Sequence, residues 1–344
     1  RGYQVTPVAI TVEGANILTR SLIIFGQGAI RCHPYVLREM RAAKEMTGEA
    51  ASIEFDDAFT SHIGHTLSNG VRTFVHGITS SRLGQVPRDG AAETRHYYRF
   101  CSRLAAAFAF LADVSMLAMG GALKRKEKIS GRLGDVLSML YLISATLKHY
   151  EDQGRVKEDL PLLRWAVRDA AYQAQQAIDA ILSNFPVKSL ATLLRWTIFP
   201  LGMSFRPPLD SRNHECAKIV LEPGEARDRL TAGIYVPKSE SDPAGALEAA
   251  FVAAIACEPI DEKLRKAVKK GKIVPQPGID LGSSGIQNKI ITVEELALWQ
   301  RKETLRRNVI KVDDFPQDFG RAETIAKLSQ EKVQSEKTST AKAA

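Results

Sequence analysis

Cysteine is scarce in this chain of 344 residues, and the four present, Cys32, Cys101, Cys216 and Cys257, are too scattered for a CxxC pair or a neighbouring metal ligand. That spacing argues against a disulfide framework and a structural zinc site and points to a reducing compartment. Strand-type alternation is nearly absent, and no internal repeat of fixed period is evident, so a sandwich, a barrel and a solenoid are all excluded as the main architecture. The first ten residues, RGYQVTPVAI, have neither a basic start with a long apolar core nor a small-residue cleavage site, so no signal peptide is expected. Aromatic residues do not interleave the densest basic runs, Lys124 to Lys128 and Lys263 to Lys272, which removes the stacking platform that single-stranded nucleic acids need. No nucleic-acid partner is expected.

What is present is a soluble-protein balance of 44% hydrophobic and 25% charged residues, enough to bury a core in one large or two ordinary domains. The formal net charge of +8 favours an anionic partner, which can be a phosphate-bearing ligand or a membrane surface. Apolar residues recur with a period near 3.6 in nearly every segment, which predicts an all-α fold.

The stretch that carries chemistry is Tyr3 to Arg31. Glu13 stands there between a turn-rich lead-in and a long apolar run, and Gly14 follows it directly. A carboxylate beside a residue without a side chain lets a flat ligand pass close to the backbone. Ala15 to Phe25 reads as a helix, which places Glu13 at its entrance. Val8, Ile10, Val12 and Ile17 surround the carboxylate with apolar side chains, a setting that raises the pKa of a base by desolvation. By spacing alone, an ordinary first-turn glutamate favoured by the helix dipole is the better reading.

The run VEGANILTR, Val12 to Arg20, resembles the EGT-x-x-IQR type of motif in the C-terminal helical bundle of acyl-CoA dehydrogenases. The continuation SLIIFGQGAIRCHPYVLREM is similar to the long bacterial fatty-acid-oxidation members, and the resemblance runs on through most of the chain. It implies that Glu13 removes the α-proton of a fatty acyl-CoA while FAD accepts the β-hydride. It places Gly14 beside the substrate and Ala15, Asn16 and Ile17 beside the flavin. Ala15 stands where relatives carry Thr, so a hydroxyl contact to the cofactor is not implied. The resemblance further implies medium- or long-chain acyl-CoA oxidation to trans-2-enoyl-CoA, an electron-accepting flavoprotein or equivalent, a homo-oligomer, and a cytoplasmic location with peripheral contact at the inner face of the cell membrane as a possibility. It makes residues 1–43 the end of the catalytic bundle and 44–320 an appended α-helical domain, with the charged, Gly-containing stretch Lys44 to Glu54 as the seam, and the Lys, Glu, Ser and Thr of 321–344 predict a charged, disordered tail. Most of the FAD site is expected in upstream domains, so the chain by itself is expected to bind no flavin tightly. The competing reading is a non-catalytic helical module that docks a membrane or an electron acceptor.

Along the chain, Phe59, Ile63, Leu67, Val71, Phe74 and Ile78 predict the buried stripe of a long amphipathic helix. On that helix His62 and His65 lie three apart but lack the carboxylate of an HExxH pattern, so they read as a polar face and no metal is expected. Leu104 to Leu123 is apolar enough to raise a membrane-spanning reading, which Asp113 and the paired helix at Leu133 to Leu147 oppose. Asp159-Leu160-Pro161 predicts a helix start, Gly271 to Ile290 a long connection, and Thr292 with Glu295 a capping box opening the last helix.

Overall fold

The computed structural model describes residues 18–235 and 237–310. Among them every regular element is helical and no strand occurs, as the 3.6-residue period requires. The chain divides into two compact units, Arg1–Leu221 and Glu222–Ala344.

In the first unit a π-helical turn, Thr19–Ile24, and the single turn α1, Gly28–Arg31, lead into α2, Val36–Glu45, and the long α3, Glu49–Ile78. Gly48, at φ +73°, makes the corner between α2 and α3. The helices α4 (Arg95–Met119), α5 (Glu127–Asp152) and α6 (Leu160–Ser183) form the body, and α7 (Lys188–Ile198) and α8 (Asp210–Leu221) pack on it. Gly120 ends α4 in a positive-φ conformation, and Pro161 sits in the first turn of α6, where its missing N–H has no helical partner to lose. The core is made of fully buried aliphatic side chains including Leu104, Leu111, Leu133, Ile143, Val167 and Ile178. Gln175 ties the segment after α7 to α6, donating to the Phe205 carbonyl at 2.9 Å and accepting from the Phe205 N–H at 3.0 Å.

One helical stretch among the described residues, 92–125, has the length and apolarity to cross a membrane. It contains α4, whose Leu104, Ala107, Leu111, Asp113 and Val114 are buried against neighbouring helices. The hairpin of α4 with α5, expected from the basic run between them, is formed.

The second unit contains α9 (Glu225–Leu230), α10 (Pro243–Ala256), α11 (Glu258–Lys269), α12 (Leu281–Gln287) and α13 (Val293–Ile310). Its small core gathers Cys257, Ile260, Leu264, Ile273, Ile291 and Trp299. Lys302 is buried there beside Asp261 at 2.9 Å, and the Trp299 indole N–H donates to the same carboxylate. The capping box exists as expected: the Glu295 N–H donates to Thr292 Oγ1 at 3.2 Å, and the Thr292 N–H to Glu295 Oε2 at 3.0 Å. The stretch expected to be a long connection holds α12, because Asp280 caps it by accepting from the Ser283 N–H at 2.7 Å.

Two sequence expectations meet a different outcome in α3. The apolar stripe Phe59, Ile63, Leu67, Val71 and Ile78 is exposed, with Leu67 65% accessible. The buried side instead carries Ala58, Asn69, Thr73, His76 and Gly77. Small residues explain the inversion: a Cβ on Gly77 would lie 2.6 Å from the Pro200 ring, and one on Gly70 3.1 Å from Phe110. The glycine side lets neighbours come close; of the polar groups beside it, Asn69 Nδ2 lies 2.9 Å from His65 Nε2 of the same helix, while Thr73 Oγ1 and His76 Nδ1 are buried with no hydrogen-bond partner among the described residues.

Candidate functional site

Glu13, Gly14, Ala15, Asn16 and Ile17 all lie outside the described residues. The structure does place the segment that follows them. Arg20 forks onto Asp135 of α5, with Nε donating to Oδ1 at 2.6 Å and Nη2 to Oδ2. This two-point pairing is the geometry in which guanidinium and carboxylate bind best. Beside it, Ser130 Oγ donates to the Ser21 carbonyl at 2.6 Å. Two glycines of α5 make the close approach possible: a Cβ on Gly131 would lie 2.9 Å from Arg20 Nη1, and one on Gly134 2.9 Å from the Arg20 carbonyl oxygen. The turn Thr19–Ile24 is therefore seated on α5 by a forked ion pair, one hydroxyl and two absent side chains. Its π-helical form is a rare geometry that recurs at functional sites. Arg20, the cation that ends the motif, is held by Asp135 and is not free for a cofactor phosphate.

A second cluster lies just beyond. His33 follows α1, Glu39 is on α2, His62, His65 and Thr66 are on α3, and Asp113 is on α4. His33 Nε2 lies 3.0 Å from Asp113 Oδ1, and Thr66 Oγ1 donates to Asp113 Oδ2 at 2.8 Å. His62 Nδ1 is 2.7 Å from Glu39 Oε1, and its Nε2 is 3.7 Å from Asp113 Oδ1. Burial pushes the Asp113 carboxyl up, but the hydrogen bonds from His33 and Thr66 outweigh it and hold the carboxyl below the usual carboxylate range. Burial also pushes His65 below the ordinary histidine value, with Asp113 opposing and the neighbouring His33, His62 and Arg72 adding to the fall.

Ligand atoms of His33, His62 and Asp113 lie within 4.8 Å of one another, a spacing a metal ion could bridge. The protons decide against that use of His33. Its Nδ1 accepts from the backbone N–H groups of Tyr35 at 3.2 Å and Val36 at 3.1 Å, which cap the start of α2. A neutral ring so held carries its proton on Nε2 and donates it to Asp113. A metal on Nε2 would need the lone pair that this proton occupies. His62 has the opposite arrangement, with Nδ1–H on Glu39 and a free Nε2 lone pair facing Asp113. The group is thus a hydrogen-bonded knot joining α2, α3 and α4.

Of these residues, the sequence pointed to His62 and His65 through their shared spacing and to Asp113 through its place in the apolar segment. The usable signal was Asp113 itself, since an acid in the most apolar segment of a chain demands a buried partner. His33 and Glu39 carried no local sign.

The family model described as acyl-CoA dehydrogenase, C-terminal, bacterial type, matches residues 30–315. The chain belongs to that family. The match takes in the His33–Asp113 knot and most of both compact units, and it begins after the VEGANILTR motif. Acyl-CoA dehydrogenases use FAD, act on acyl-CoA and are generally oligomeric. No solved structure matches the chain.

Proposed function

We propose that the chain is the C-terminal part of an FAD-dependent acyl-CoA dehydrogenase that converts medium- or long-chain acyl-CoA to trans-2-enoyl-CoA in fatty-acid β-oxidation. The observation that carries this reading is the family match over residues 30–315, with VEGANILTR standing directly upstream of it. Glu13 is the base that takes the α-proton. An α-proton beside a thioester is a weak acid, so the carboxylate needs a dry site that raises its pKa and a developing enolate that is stabilised by neighbouring donors. Gly14 gives the substrate room, and Ala15, Asn16 and Ile17 border the flavin. FAD supplies the acceptor for the β-hydride. Seating of Thr19–Ile24 on α5 supports the reading, because it anchors the chain six residues after Glu13.

The test is Glu13→Gln in the enzyme that includes its upstream domains, followed by stopped-flow flavin reduction with acyl-CoA and by a titration of ligand binding. Gln keeps size and hydrogen-bonding reach but accepts no proton. Reduction should slow by about a hundredfold to ten-thousandfold with binding nearly intact. Reduction within a few-fold of the parent enzyme would leave Glu13 as a helix-start residue only.

A second reading, a helical module that docks an electron-accepting flavoprotein, another copy of the chain or the inner face of the cytoplasmic membrane, is favoured by the exposed stripe on α3. Phe55 and Phe59 stack there at 5.8 Å, and Phe74 meets the half-exposed Trp196 of α7 at 5.7 Å. Contiguous exposed apolar surface of this kind marks interaction sites. Bleaching of flavin absorbance by acyl-CoA supports the enzyme reading; binding to anionic vesicles without bleaching supports the module alone.

A further inference from the structure

Two adjoining cavities in the first unit differ sharply in chemistry. One, of about 330 Å³, is walled chiefly by Phe25, Ala29, Ile30, Met40, Met116 and Leu123. The other, of about 250 Å³, is bordered by Gln27, Arg31 and Lys124 and shares Gly26, Ile30 and Lys124 with the first. The apolar chamber is partly open to the surface, and the one hydroxyl in its wall, Ser130 Oγ, is already engaged, donating to the Ser21 carbonyl. Two methionines give it adaptable walls. Gly121, itself exposed, stands at its rim, and a Cβ there would meet nothing within 4 Å.

The vestibule adds charge at its border. Arg31 and Lys124 are exposed, and neither has an ion pair among the described residues. Lys124 opens the run Lys124-Arg125-Lys126, a cluster of cations for which the proposed catalytic chemistry has no use. An apolar chamber that opens onto two free cations matches a molecule with one alkyl chain and one small anionic end.

We propose that the paired cavities bind a fatty carboxylate, its alkyl chain in the chamber and its carboxylate between Arg31 and Lys124. The proposal is independent of the catalytic reading of Glu13. At about 30 Å³ for a group the size of a water molecule, the chamber takes roughly ten such groups, which sets the chain length.

The experiment is calorimetric titration of the full 344-residue chain, stripped of lipid, with hexanoate, octanoate, decanoate and tetradecanoate below their micelle concentrations. Decanol, decyl phosphate and decanoyl-CoA are the comparison arms. Saturable one-to-one binding is expected, with affinity rising about threefold to fourfold per added methylene up to about ten carbons and then levelling. Decanol should bind more than tenfold more weakly than decanoate. Comparable binding of decyl phosphate would extend the head-group class to any small anion, still in this site, whereas binding of decanoyl-CoA alone would overturn the small-head assignment. Lys124→Glu and Arg31→Glu, both exposed, should each weaken decanoate several-fold and together about tenfold or more. Gly121→Leu should abolish saturable binding while the melting temperature stays within a few degrees. Equal affinity for decanol and decanoate, undiminished binding in Gly121→Leu, or no saturable binding of any fatty carboxylate overturns the proposal.

Discussion

The helices α3 and α4 are neighbours of similar length, both rich in apolar residues, and they use those residues in opposite ways. In α4 the apolar side faces the bundle, and its Leu111 is fully buried. In α3 the apolar stripe faces out, while Asn69, Thr73 and His76 face in. A helix hides whichever side its neighbours complement. For α3 that side is the one with small residues, Ala58, Gly70 and Gly77, and with side chains that complete the knot around Asp113. Period alone identifies a helix; it does not say which of two plausible faces is inward.

This contrast can be broken at its two strongest points. Leu111→Ala opens a cavity in α4 and should cost about 2–5 kcal/mol, read from denaturant unfolding with an unchanged slope. Asp113→Ala removes the acceptor of both His33 and Thr66 and leaves their part-buried donors without that partner. That change should cost about 2–4 kcal/mol although it deletes a charge from an apolar helix. A neutral outcome for Asp113→Ala would mean that the knot contributes nothing to how α3 is oriented.

Acidity gives a weaker test of the same difference. Burial pushes His65, His76 and His96 below the ordinary histidine value. The folded chain therefore keeps these rings neutral, and the unfolded chain binds more protons once the pH falls below about 6.5. The stability they contribute is fully present above that value and declines as the pH drops from it. Asp113, held low, keeps its contribution through this range and loses it only below the usual carboxylate range. A melting temperature that falls between pH 7 and pH 5.5, and falls less in His76→Phe, is the expected result.

The smallest effect belongs to the outward stripe. Leu67→Ser and Val71→Ser should change stability by no more than about 0.5 kcal/mol, because both side chains are more than 60% exposed. The same pair should reduce self-association, or vesicle binding, if the stripe is a contact surface. A stability loss of several kcal/mol would show that the stripe is covered within the folded protein.

Much of the fold was legible in the residues. Pro161 marked the start of α6, Thr292 with Glu295 marked the start of α13, and the 3.6-residue period marked an all-α chain, because capping and periodicity act over three or four residues and leave a local trace. The family too was readable from a contiguous stretch. Tertiary structure alone decided which face of α3 turns inward and that His33, Glu39, His62 and Asp113 meet. His33 and Asp113 stand 80 residues apart. Their contact depends on how four helices pack, and packing is set by the fit of whole surfaces, which no short window of sequence contains.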